Sequence, residues 1–257
     1  MAAESNTIDA LGQFKLTTAF GPLGASVNFT QSNLMMLIAC VLVLGTLYIG
    51  MRPKALVPGR LQAMAELAYD GVLQMCIDTI GDGARRFFPF IFAIFGFILL
   101  GNLLGVVPYM FTFTSHIAVN GLLALLVVVL TTVVGLRYHG LHFFSYFVPQ
   151  GVPAVLLPLL VPIEVLSYVS RLISLSVRLF ANMMAGHVML EVFGAFVIML
   201  GSAGLMGGLH SVALLPAALS LSINVILIGF EVLVAVLQAY VFAVLTCIYL
   251  HDAVHLH

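Results

Sequence analysis

An all-α polytopic membrane protein, with about five membrane helices and one amphipathic in-plane helix, is predicted by three observations. The 257-residue chain is 62% hydrophobic and only 7% charged, whereas a soluble domain carries roughly a quarter charged residues. Its mean hydropathy is +1.18. Its apolar residues gather into runs long enough to cross a bilayer, divided by short polar or glycine- and proline-containing connections. A formal net charge of −1 gives no reason to expect nucleic acid. Cys40, Cys76 and Cys247 are scattered through apolar context without disulfide or metal-ligand spacing, and read as small core residues. No cofactor or metal is expected.

Residues 1–33 are polar to mixed and read as an exposed N-terminal segment. Met1-Ala-Ala-Glu4 lacks the basic start of a secretory signal. Residues 34–86 hold the first span, Met35 to Ile49, followed by a helix over 61–80. In that helix Glu66, Asp70 and Asp78 alternate with apolar residues at helical spacing, which predicts an amphipathic helix at the interface. Arg52, Lys54, Arg60, Arg85 and Arg86 fall between the first and second apolar runs. By the positive-inside rule that loop faces the cytoplasm or matrix, and the N-terminus lies opposite. Residues 87–162 contain a span from Phe87 to Tyr109, a returning span over 117–136, and a segment over 138–163. The last holds Pro149, Pro153, Pro158 and Pro162, which predict a re-entrant or interfacial piece rather than a regular span.

Residues 163–250 divide into two long segments, about 163–200 and 209–250, around the glycine-rich stretch Gly201 to Gly208. An unbroken helix of such length exceeds the roughly 30 Å hydrocarbon core. Two readings fit: an irregularity at Gly186 or Gly194, or a long, strongly tilted hairpin lying along another object in the membrane. Residues 251–257 read as a C-terminal tail, whose histidines His251, His255 and His257 lack a second ligand cluster.

The first long segment carries Arg178 in the middle of an apolar helix. A guanidinium there costs about 2.5–3.5 kcal/mol on insertion scales, and it stays charged at any biological pH. A permanent cation in the bilayer points to ion or proton transport. Glu164, Arg171 and Arg178 repeat every seven residues, as do Asn224, Glu231 and Gln238, so each trio forms one stripe. Ser174 and Asn182 flank Arg178 at i, i+4 spacing. Folding the chain back near residue 208 puts Arg178 level with Gln238 and His187 level with Glu231. Imidazole and carboxyl both exchange protons, with ordinary pKa values of about 6.5 and 4.3. Ser174, Asn182 and Asn224 can equally well be hydrogen-bonding glue between the helices. Glu164 and Glu191 are too distant along the helix to neutralise Arg178. Its counter-ion is therefore expected on a partner subunit. Arg171 is expected to pair with Glu164 or to snorkel toward lipid phosphate.

The stretch Leu175-Ser-Val-Arg178-Leu-Phe-Ala-Asn182-Met-Met-Ala-Gly186-His187 closely resembles the signature of subunit a of F-type ATP synthases. Asn102-Leu-Leu-Gly-Val-Val-Pro108-Tyr109 and the run from Phe230 to Phe242 are similar to two further stretches of that family. The resemblance covers about residues 85–250. It implies a proton-conducting stator subunit, not an enzyme by itself, beside a rotor ring of proteolipid subunit c. Peripheral-stalk subunit b and the other ATP synthase subunits are implied partners. It implies that Arg178 is the essential arginine, with Asn182 and Gln238 as polar neighbours. His187 and Glu231 would line a half-channel on the side of high proton potential. Glu164, with Ser174, would face the opposite one, and Asn224 would have a supporting role. Many bacterial members have the acid first and the histidine second; the order here is the reverse. The implied location is a bacterial plasma membrane or the mitochondrial inner membrane.

Two rival readings need other features. A secondary transporter binding an anionic substrate at Arg178 would show an internal repeat and broken helices at matching positions, and no repeat is evident. A structural subunit of a respiratory complex would not require a titratable pair at one depth.

Overall fold

A computed structural model of the chain describes residues 30–51, 59–81, 83–107, 110–140, 143, 156–205 and 213–254. Its helices are α1 (Gln31–Met51), α2 (Arg60–Ile80), α3 (Ala84–Val106), α4 (Ile117–His139), α5 (Leu157–Leu205) and α6 (Leu214–Val254). A short 3-10 turn at Phe113–Ser115 precedes α4. Among the described residues there are no strands, and five helices, all but α2, are long and apolar enough to cross a membrane. The chain is an all-α membrane protein.

The exception, α2, behaves as its sequence dictates. Val72, Met75, Cys76 and Ile80 recur at helical spacing and are buried, while Glu66, Asp70, Gln74 and Asp78 stay exposed. Gln74 donates to Asp78 at 2.8 Å along the polar face, and the buried Gln62 donates to Glu66 at the same distance. The helix stops at Gly81, whose φ of +82° suits glycine and ends the run. Gly140, at φ +57°, does the same for α4.

The core joins the buried face of α2 to α3, α4, α5 and α6. Phe88, Ile91, Phe95 and Ile98 of α3 meet Leu175 and Leu179 of α5 and Phe242, Ala243, Cys247 and Leu250 of α6 in one cluster. By contrast, α1 is peripheral, so Cys40 is exposed and not a core residue. The other two thiols are not scattered in space: Cys76 Sγ and Cys247 Sγ lie 3.6 Å apart, packing α2 against α6.

Several boundaries differ from expectation. α5 begins at Leu157, before residue 163: Pro158 is its second residue, where a missing N–H costs little, and Pro162 is carried inside the helix. Of the segment 138–163 expected to be re-entrant or interfacial, residues 138–139 belong to α4 and 157–163 to α5, while 141, 142 and 144–155 lie outside the described residues. α5 also continues through Gly201 and Gly204 to Leu205, and α6 starts at Leu214. Neither Gly186 nor Gly194 interrupts α5. At 1.5 Å per residue its 49 residues extend about 74 Å. That length exceeds the core of a bilayer, so α5 must incline steeply or project beyond it. Residues 251–254 form the last turn of α6 rather than a tail. Likewise, Gln31, Ser32 and Asn33 belong to α1, and residues 1–29 lie outside the described residues.

Candidate functional site

Helices α5 and α6 fold back on each other, and small residues let them approach. A Cβ on Gly204 would meet Leu214 at 2.7 Å, one on Gly194 would touch Asn224 Nδ2 at 3.6 Å, and one on Gly186 would lie 2.9 Å from Glu231 Oε1. The polar stripe of α6 therefore faces α5. Glu231 is 5% exposed and Gln238 2% exposed, buried in the seam although both are polar.

His187 and Glu231 meet as their shared depth predicts: His187 Nε2 stands 3.6 Å from Glu231 Oε1. That is ion-pair range but beyond a direct hydrogen bond. A second group is present: Thr112 Oγ1, from the segment leading into the 3-10 turn, lies 2.9 Å from the same nitrogen. Gln238 makes its contact one turn away from the expected place. Asn182 Nδ2 donates to Gln238 Oε1 at 2.8 Å, and among the described residues Arg178 has no bond to Gln238. The register drifts along the hairpin because two inclined helices do not keep a constant residue offset.

Arg178 itself is exposed on the lateral face of α5, as are Ser174 and Asn182 on the same stripe. Among the described residues it has no hydrogen bond and no ion pair. Arg171, two turns before it, differs. Its guanidinium reaches Asp252 Oδ2 of α6 at 3.4 Å, and it stands 5.3 Å from the Tyr249 ring centre and 6.0 Å from that of Tyr168. The expected pairing with Glu164 is thus replaced by an inter-helix bridge, because Asp252 stays on the helix that the tail reading had ended. Glu164 and Asn224 are half-buried.

Three contributors were not among the sequence-predicted site residues. Asn102, fully buried on α3, donates to the Ala235 carbonyl of α6 at 3.4 Å, and an amide in an otherwise apolar span was the signal available for it. Asp252 stood near the chain end, four residues after Ile248. Thr112 had no signal, because a threonine in a connection is ordinary. Nearby, His116 stacks on Phe111 with ring centres 5.2 Å apart, and burial pulls its imidazole below the usual range.

Comparison with known proteins decides the family. Residues 33–251 match the family described as "ATP synthase A chain". The chain is 60% identical over 258 residues to an ATP synthase subunit a of Granulibacter bethesdensis, covering all of both chains. It is 56% identical to that of Acidiphilium cryptum over 257 residues, again covering both fully. It is 59% identical to that of Gluconacetobacter diazotrophicus over 252 residues, 98% of this chain and 99% of the relative. The chain belongs to the ATP synthase subunit a family. With five membrane-length helices, this member of the subunit a family is membrane-embedded.

Proposed function

We propose that the chain is the proton-translocating stator subunit of an F-type ATP synthase in a bacterial plasma membrane. It works against a rotor ring of proteolipid subunit c and is held by peripheral-stalk subunit b. The bacterial relatives support that location. The observation that carries the reading is Arg178: a permanent cation on an exposed, apolar helix face, with no partner acid among the described residues. The charge requires compensation, and a ring carboxylate passing α5 supplies it.

On this reading a proton enters from the outer side through His187 and Glu231 and neutralises a ring carboxylate. The neutral acid can then leave the interface and face lipid without the large cost of a buried charge. After nearly a full turn it returns and releases its proton toward Glu164 and the inner side, with Ser174 on the same stripe. Arg178 favours the ionised carboxylate by about 4 kcal/mol at 4 Å separation and an effective dielectric of 20, less desolvation. Arginine holds its proton, so it cannot relay one and keeps the two half-channels apart. Asn182 and Gln238 brace the helix pair beside it, and Asn224 lines the same seam. The subunit breaks no covalent bond itself; synthesis belongs to a separate catalytic head.

The test is Arg178→Ala in the intact complex, reconstituted in liposomes and energised with an imposed proton gradient. ATP synthesis is expected to fall to background while the complex still assembles. Synthesis at the wild-type rate would overturn the reading.

A further inference from the structure

We propose that Thr112 is a positioning residue for His187, keeping its imidazole turned toward Glu231 in both protonation states. This rests on the proton-transfer role given to His187 above. The inference begins with two glycines one turn apart on α3. A Cβ on Gly101 would collide with the Phe113 ring, and one on Gly105 would stand 2.6 Å from Thr112 Oγ1. Only bare backbone at both positions lets the connecting segment seat itself against α3.

Once seated, the segment is held at several points. Phe113 is 1% exposed, and its ring centre lies 5.1 Å from that of Phe97. The Thr112 carbonyl accepts from the Ser115 hydroxyl at 2.6 Å and from the Ser115 backbone N–H at 3.2 Å. Asn120 Nδ2 donates to the Thr114 carbonyl at 2.6 Å, tying the segment to α4. Thr112, 6% exposed, is thereby fixed with its hydroxyl 2.9 Å from His187 Nε2.

The type of group matters. An ionised carboxylate only accepts and a protonated one can donate, but at 3.6 Å Glu231 Oε1 stands too far from Nε2 to hydrogen-bond it in either form. A hydroxyl donates to Nε2 when the nitrogen is bare and accepts from it when it is protonated. The imidazole therefore has a partner at Nε2 on both sides of a transfer, beside Glu231 Oε1 at 3.6 Å. Without the hydroxyl, Nε2 loses the 2.9 Å hydrogen bond that aims it beside the acid. Valine has nearly the shape of threonine and can do neither job, whereas serine can do both.

The experiment compares variants in the intact complex, reconstituted in phospholipid vesicles, with synthesis rates expressed per assembled complex. Thr112→Val is expected to slow proton-driven synthesis about three- to tenfold, the usual effect of one hydrogen bond. Thr112→Ser should restore most of the rate, and Thr112→Val should add nothing in a His187→Ala background. The inference is overturned if Thr112→Val runs at the wild-type rate, if Thr112→Ser is as slow as Thr112→Val, or if the two losses multiply. Should Thr112→Val fail to assemble, Thr112→Ala takes its place in each comparison. A wild-type rate in His187→Ala would instead remove the role assigned to that histidine. An impaired His187→Ala beside a normal Thr112→Val would remove only the positioning role.

Discussion

A carboxylate in an apolar seam is costly to bury and therefore informative. Glu231 is 5% exposed, with His187 3.6 Å away and the bare face of Gly186 opposite it. An alanine there would stand 2.9 Å from Oε1, so the carboxyl end would have to shift to make room. Glu231→Gln keeps the volume and one acceptor oxygen but loses titration. Synthesis should slow on the order of a hundredfold, the lower range of effects seen for proton-transferring side chains. The dependence of rate on outer pH should change shape as well. A rate–pH profile matching wild type, measured in energised liposomes, would exclude Glu231 from the proton path. His187 and Glu231 were legible in the sequence because a fold-back near residue 208 brings them to one depth. Thr112 was not, since its contact depends on a tertiary seat formed by two glycines of another helix.

The helices show which elements apolar length can reveal and which ends it cannot. Five runs of low polarity became five helices of membrane length, and the acidic positions of α2 kept it apart. The ends were harder. The stretch Gly201-Ser-Ala-Gly204 breaks helices in water, yet α5 continues through it. In an apolar setting the backbone has no water to bond to, and the helical hydrogen bond is retained. Register drift between α5 and α6 likewise moved the partner of Gln238 from Arg178 to Asn182, which no count of residues could anticipate. Packing at the glycines of α3 gives a test at this scale. Gly101→Ala would force its methyl into the Phe113 ring, whereas a Cβ on Gly45 of α1 meets nothing within 4 Å. Overpacking of this kind costs about 1–3 kcal/mol. Gly101→Ala should therefore lower the thermal midpoint of the detergent-solubilised complex, and Gly45→Ala should leave it unchanged. Equal midpoints for the two variants would mean that the segment is not seated against α3 as described.

Across the whole molecule, burial is distributed unevenly, and the unevenness has a direction. In the most apolar window of α3, 44% of residues are buried, but in that of α5 only 6% are. Ile173 and Val177 are exposed on α5, flanking Ser174 and Arg178 on its lateral face. Apolar side chains alone could face lipid there. An arginine cannot do so cheaply, because its charge in hydrocarbon carries a cost of several kcal/mol by insertion scales (about 2.5–3.5). On the proposed reading, the face that holds it meets a surface carrying a matching acid, and meets it only in passing, so that protons drive motion. Helix α1 supplies the contrast: Leu44 is 67% exposed, yet no charge interrupts that helix between Gln31 and Met51. Val177→Cys, in membranes holding the assembled complex, should therefore cross-link through a short bifunctional reagent to a small acidic proteolipid, whereas Leu44→Cys should not. Cross-linking should also halt proton-driven synthesis, because a tethered ring cannot turn. A proteolipid adduct at Leu44→Cys and none at Val177→Cys would put the rotor on the wrong side of the molecule and leave Arg178 without its carboxylate.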